Sequence, residues 1–271
     1  MSVIDSTARV DTSATIGRDV SIGPYCVVGP HVTIGDECRL ESHVNIAGHT
    51  TLGARCTISP FASLGTAPQS VHYKGESSRL VIGSDCTIRE YVTMNIGTAA
   101  GKGVTSVGDH CSMMVGAHVG HDCTVGNHVT FANNATLGGF CEIGDYVFLG
   151  GLCAVHQFGR VGEQVMIGGL AAVTADVIPY AIAFGNHAHL AGINQVGLKR
   201  RGLTPDVIRA IHRGYRAIFF GPGTRDQRLD RVASEFSDNS QVMRMIEFIR
   251  AAKLRRVALP RRRGTSSLDA D

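Results

Sequence analysis

The chain has 271 residues (28.8 kDa), of which 44% are hydrophobic and 18% charged, a balance that excludes wholesale disorder and allows a substantial core. Glycine is abundant at 33 residues, tryptophan is absent and aromatics make up 6%, so the interior must be built from small and β-branched side chains. The net charge of +3 hides an asymmetry: residues 1–198 carry 9 Lys and Arg against 15 Asp and Glu, whereas residues 199–271 carry 17 against 8. A basic end on an acidic body suggests an anionic partner for that end.

The first residues, MSVIDSTARVD, contain two acids and no apolar segment, which does not read as a signal peptide. No apolar run approaches the ~18–20 residues of a membrane span. The expectation is a soluble cytoplasmic protein without an integral membrane segment.

From Ile4 to Leu64 every sixth residue is apolar; the same holds for Ile82, Ile88 and Met94, and again from Val107 to Val173. All 26 positions obey the rule, and the next residue is Gly in 15 of them. A period of six fits neither a helix nor a long strand. It fits a short strand, a sharp corner and another short strand, three of which close a triangular coil. Coils stack as parallel strands about 4.8 Å apart. Residues 1–186 are therefore expected to form an all-β parallel β-helix of hexapeptide repeats. The Gly after each apolar position should supply the unusual dihedral angles of the corner. All eight cysteines lie two residues before an apolar hexad position, where they read as small buried hydrophobes rather than disulfide or zinc ligands. The register breaks at about 66–80 and 97–105, and such insertions should project outward from corners, where loops commonly carry function.

Polar residues crowd at one place in the prism, Ala117-His118-Val119-Gly120-His121-Asp122-Cys123. His118 and His121 flank the inward Val119, and Asp122 follows His121 closely enough to orient it. Two coils further on, Val155 precedes His156-Gln157. Three histidines converging across subunits would make a zinc site of the γ-class carbonic anhydrase kind from His118, His121 and His156. However, no carboxylate or Cys stands in a ligating position beside them. The alternative is a single general base, with a backbone N–H for the developing oxyanion. Gly138-Gly139, one coil beyond His121, offers such N–H groups.

Past Pro179 the period stops, and residues 187–271 read as an α-helical region. Thr204-Pro205-Asp206 is an N-cap with Pro in the first turn, opening a helix that Gly221-Pro222-Gly223 ends. Two more helices are predicted at about 224–236 and 241–254. The tail from Arg255, including Arg261-Arg262-Arg263, reads as disordered and basic. Lys199-Arg200-Arg201 has no interleaved aromatics, so no nucleic-acid role is expected.

The segments GPYCVVGPHVTIG, GHDCTVGN, ANNATLGG, AVHQF and GNHAHLAGINQVGLKRRG, occurring in this order, closely resemble the acyl-ACP:UDP-N-acetylglucosamine O-acyltransferases, which begin lipid A synthesis. The resemblance runs from about residue 4 to residue 220. It implies a left-handed β-helix, a homotrimer with sites between subunits, and no cofactor beyond the phosphopantetheine of acyl carrier protein. It implies that His121 is the base on the sugar 3-hydroxyl, Asp122 its partner and Gly139 the oxyanion donor. Ser70, His72, His118, Phe140, His156 and Gln157 would contact the sugar nucleotide, with Asn194, Arg200 and Arg201 on the nucleotide and phosphates. Gly169 and His187 would end the acyl channel, where a glycine leaves room for a longer hydroxyacyl chain. The basic helical end would dock acidic acyl carrier protein. Ser70, His72, Phe140 and Val196 stand where the family has Asp, Lys, His and Glu. A UDP-2,3-diamino sugar acylated on nitrogen is therefore an alternative acceptor. Further readings are a non-catalytic β-helix scaffold, for which HDCTVGN, the two loops and GLKRRG would serve no purpose, and a CoA-dependent acetyltransferase, which the basic helical end, suited to a carrier protein, argues against.

Overall fold

The computed structural model describes residues 1–252 and 256–261. Strands of mostly two residues each stack into three sheets of 11, 9 and 8 strands, the faces of a triangular prism. Val3–Ile4 starts the first face, Arg9–Val10 the second and Thr15–Ile16 the third, and the cycle then repeats. Strands pair in parallel with the coil above: Val3 with Ser21, Arg9 with Val27 and Thr15 with Thr33. One pair is antiparallel, Ala181–Phe184 with His189–Ile193 at the last coil. The expected boundary at 186/187 falls in the turn of this hairpin, and the first helix begins only at residue 195.

The inward hexad residues are buried from Ile22 to Val173. Ile4, Val10 and Ile16, on the first coil, remain exposed or partly exposed because no coil lies beneath them. At the corners the structure corrects the expectation for glycine. Of the 15 glycines that follow a hexad residue, only Gly65 has positive φ. The left-handed residue sits two places later and carries a side chain, as in Tyr25, His43, Phe61, Phe140 and Tyr146. Glycine is needed because coils approach closely: a Cβ at Gly126 would lie 2.8 Å from the Asp145 N, and one at Gly150 2.5 Å from the Gly169 N. Each left-handed residue costs on the order of 1 kcal/mol. Stacking of like side chains one coil apart offsets it, as in His110–His128–Tyr146 with centroids 4.7 and 4.6 Å apart.

The eight cysteines are buried, and their packing has a second component. Thiols point at carbonyls of the next coil: Cys38 Sγ to Gly53 O at 3.0 Å, Cys123 Sγ to Gly138 O at 3.1 Å. A plain hydrophobe would leave those oxygens unpaired, so Cys acts as a weak donor as well as a filler.

After the prism come α1 (Gln195–Arg200), α2 (Pro205–Phe220), α3 (Arg225–Glu235) and α4 (Ser240–Arg250). Thr204 caps α2, and Thr224 with Gln227 forms a capping box on α3. Ile211 and Ile218 of α2 are buried, as are Val232 of α3 and Met245 and Ile249 of α4, and α2 contacts both neighbours. The short α1 has no apolar stripe, and nothing in the residue pattern announced it. Arg160 joins α4 to the prism: its Nε donates to Asp176 Oδ2 (2.8 Å), its Nη2 to Phe248 O (3.0 Å), and its guanidinium covers the Phe248 ring at 4.4 Å.

The tail expected to be disordered from Arg255 is ordered over 256–261. Asp176 N–H donates to Arg256 O, Ala258 N–H to Asp176 O and Leu190 N–H to Leu259 O. Val257 and Ala258 are buried against the prism end. Two apolar residues among arginines carry no period, so an edge pairing of this kind leaves no mark in the pattern. Arg262 and Arg263 lie outside the described residues.

Candidate active site

Both register breaks and the His118–Cys123 segment fall on one edge of the prism, where the second face turns into the third. The first insertion joins Ser63–Thr66 to Arg79–Ile82, and the second joins Thr93–Asn95 to Val104–Val107. The next coils up supply His121 and Asp122, then Gly139 and Phe140, then His156 and Gln157. Stacking has thus aligned residues far apart in sequence at about 4.8 Å per coil.

His121 Nδ1 lies 2.9 Å from Asp122 Oδ2. The Asp122 side chain is fully buried, that of His121 17% exposed. A carboxylate so placed accepts, so Nδ1 donates and Nε2 keeps its lone pair. Nε2 looks toward Gly139, where a Cβ would stand 2.7 Å away; glycine leaves that space open. The backbone ladder uses the amides on either side, Gly138 N–H to Val155 O and Phe140 N–H to His121 O. Of the two amides expected to be exposed, Gly138 is therefore committed to the ladder, and Gly139 is the one beside the imidazole.

The second insertion does not project outward as expected. It folds over Asp122, whose carboxylate accepts the Thr98 N–H (3.1 Å), the Thr98 hydroxyl (2.7 Å) and the Lys102 N–H (3.0 Å). The Asp122 N–H donates to Thr105 Oγ1 at 2.8 Å. Thr98 and Thr105 were missed by motif reasoning. The signal available was that a buried carboxylate needs donors, and the neighbouring insertion GTAAGKGVT was the place to find them.

His118 Nδ1 bonds the Thr93 hydroxyl at 2.8 Å. Burial, then the neighbouring His121, lowers the His118 pKa below its ordinary value of 6.5. Phe140 meets the His121 ring edge-on at 5.0 Å and stacks on Phe158 at 4.6 Å, an apolar wall beside the imidazole. His156 is exposed, its Nδ1 3.1 Å from Gln157 O. Among the described residues no group of three or more His, Cys, Asp and Glu is disposed to hold a metal ion.

The other expected site residues lie elsewhere. Ser70 and His72 form a turn in the first insertion, with His72 N–H on Ser70 Oγ at 3.3 Å. That insertion is tied to the second through Ser78 Oγ to Gly97 O at 2.6 Å. Gly169 is on the opposite edge, between first and second faces, beside the exposed Leu170. His187 lies at the prism end, its Nδ1 3.4 Å from Thr174 Oγ1. Asn194 caps α1 with its oxygen and holds Gln164 O with its nitrogen (2.9 Å). Arg201 donates to Tyr146 O (2.8 Å) on the third edge, with Nη1 buried and unbonded, and burial lowers its pKa. Arg200 is exposed.

Comparison with known proteins was made on sequence and on fold. The family described as UDP N-acetylglucosamine O-acyltransferase, domain 2, matches residues 176–258. The bacterial transferase hexapeptide family matches 13–48 and 105–139. The acyl-[acyl-carrier-protein]--UDP-N-acetylglucosamine O-acyltransferase of Azorhizobium caulinodans is 54% identical over 262 residues, 97% of each chain. That of Caulobacter vibrioides is 52% identical over 224 residues, covering 83% of this chain and 85% of its own. LpxA from Acinetobacter baumannii superposes with a TM-score of 0.90 at 39% identity, covering 96% of this chain and all of that one. The fold is accordingly the left-handed parallel β-helix with a helical end.

Proposed function

The chain belongs to the acyl-[acyl-carrier-protein]--UDP-N-acetylglucosamine O-acyltransferases of lipid A biosynthesis, and from that premise we propose how its residues carry out the transfer. His121 Nε2 takes the proton from the sugar 3-hydroxyl as the oxygen attacks the thioester carbonyl of the hydroxyacyl carrier protein. Asp122, bonded to Nδ1, holds the ring and stabilises the imidazolium that forms. The Gly139 N–H receives the negative charge of the tetrahedral oxyanion. Collapse breaks the C–S bond, and the proton on Nε2 passes to the departing phosphopantetheine thiolate. The observation that carries this is the buried Asp122–His121 pair with Nε2 facing the gap at Gly139.

The site is made by more than one chain in this reading. His121, Gly139 and Gln157 occupy the second edge, Gly169 the first and Arg201 the third. No single prism brings three edges together, so an assembly of copies, a trimer, supports one shared cleft. Ser70, His72, His118, Phe140 and His156 line the sugar side. Asn194 orients α1 so that Arg200 and Arg201 reach phosphate, and Gly169 with His187 bounds the acyl chain. The acceptor is the N-acetylglucosamine nucleotide; Phe140 contacts it as a flat apolar wall. No metal or organic cofactor enters this mechanism.

The test is His121→Ala, assayed by mass spectrometry of product from hydroxyacyl carrier protein and UDP-N-acetylglucosamine. Turnover should fall by about 10³-fold, within the ~10²–10⁴ range of general-base catalysis. A folded variant within tenfold of the native rate would remove His121 from that role. Mixing inactive His121→Ala with inactive Arg201→Ala chains before refolding should restore part of the activity, and no restoration would refute the shared site.

A further inference from the structure

The clamp over Asp122 has a consequence for the base itself. Asp122 Oδ2 accepts two hydrogen bonds, from His121 Nδ1–H at 2.9 Å and from the Thr98 hydroxyl at 2.7 Å. Oδ1 accepts the Thr98 and Lys102 N–H groups at 3.1 and 3.0 Å. Thr98 is 4% exposed and Asp122 2% exposed, so water does not compete for these oxygens. A Cβ at Gly101 would lie 2.2 Å from Oδ1; only a glycine lets the insertion close this tightly.

We propose that Thr98 is a positioning residue for acyl transfer: its hydroxyl shares Oδ2 with His121, fixes the carboxylate orientation and limits how strongly Asp122 can stabilise the imidazolium. This rests on the reading of His121 as the base. The chemistry follows from competition. A carboxylate oxygen that already accepts a short O–H bond has less charge to offer a second donor. Removing the hydroxyl leaves more of that charge to the imidazole, which favours the protonated ring and takes the base out of service at higher pH. It also frees the carboxylate to turn, which costs aim at Nε2. Other titratable groups facing the pair are His118, on which His121 acts electrostatically, and Lys102, whose ammonium is directed at Thr124 and Glu142. Phe140 faces the ring as an apolar wall. None of these bonds Oδ2.

The experiment is the pH dependence of kcat and kcat/KM for native protein, Thr98→Val, Thr98→Ser and His121→Ala. Thr98→Val should lower kcat by about tenfold at neutral pH, leave KM for the sugar nucleotide within about twofold, and move the acidic limb upward by roughly half to one pH unit. Thr98→Ser should restore both rate and limb. An unmoved limb in Thr98→Val, or a Thr98→Ser variant that behaves like it, overturns the proposal while His121 stands. If Thr98→Val does not fold, Thr98→Cys, a weaker donor of similar volume, must show the displaced limb. Full turnover in folded His121→Ala would instead bring down the base reading, and the Thr98 proposal with it.

Discussion

Gly139→Ala isolates the chemistry from the fold. The added Cβ would stand 2.7 Å from His121 Nε2, 2.8 Å from Cε1 and 3.2 Å from Cδ2, so its three nearest neighbours all belong to that ring. Ordinary carbon–nitrogen contact needs about 3.5 Å, so the ring must retreat by most of an ångström. Asp122 resists that retreat, since its carboxylate is held by three bonds besides the imidazole. The methyl also fills the space where the reacting hydroxyl would lie. A 1 Å displacement at the reacting atoms can cost about 10²-fold, and the blocked approach adds to that, so kcat/KM should fall by ~10²–10³-fold. Stability should barely change, because Gly139 lacks the positive φ that would strain alanine. Gly138→Ala is the counterpart: its Cβ would meet the Gln157 N at 2.8 Å, part of the next coil's backbone, and must unsettle the stack. The assay is acyl transfer beside thermal melting of both variants. A Gly139→Ala protein with native activity would refute the placement of Nε2 in the reaction, and one melting as low as Gly138→Ala would show that glycine serves the stack alone.

Stability should also respond to pH through His118. Its pKa is lowered in the fold, chiefly by burial, so the native state binds fewer protons than the unfolded chain. The stability this represents is present above the ordinary value of 6.5 and is lost as pH falls below it. The melting midpoint should drop between pH 7.5 and 5.5, and His118→Asn should flatten part of that drop; an equally steep decline in the variant would exclude His118 as a cause. Arg160→Met leaves the fully buried Asp176 carboxylate without its guanidinium and unhooks Phe248 of α4. The expected cost is about 3 kcal/mol, or roughly 6 °C in melting temperature, measured by calorimetry; an unchanged midpoint would show that the helical end does not depend on this link.

The period-six pattern made the prism legible because every inward position obeys one steric rule, and the cap Thr204 announced α2 for a similar local reason. The His121–Asp122 pair was readable because adjacent residues on a corner need no tertiary information. What the pattern could not show depends on the spacing between coils. The approach of glycine to the next backbone and the thiol-to-carbonyl bonds recur at fixed offsets, Cys38 to Gly53 and Cys123 to Gly138 both 15 residues apart, but an apolar period carries no interatomic distance, and the wrapping of GTAAGKGVT over Asp122 joins residues that no period links. The same holds for the docking of Val257-Ala258 and for the spread of Gly169, Arg201 and His121 over three edges, which the family likeness had gathered into one site without saying which chain supplies each part.

The paired strands bracketing each insertion keep their inward phase whatever lies between them: Thr57 sits under Thr87, 30 residues on, and Thr87 under Ser112, 25 residues on, where an uninterrupted coil takes 18. Length added at the second edge is not propagated up the column. Length can therefore be added to or removed from the first insertion without shifting the imidazole two coils above, whereas the second insertion is held to Asp122 through Thr98 and Lys102. New sequence at the first of these corners thus leaves the register of the catalytic pair unchanged, while at the second it would reach the carboxylate directly.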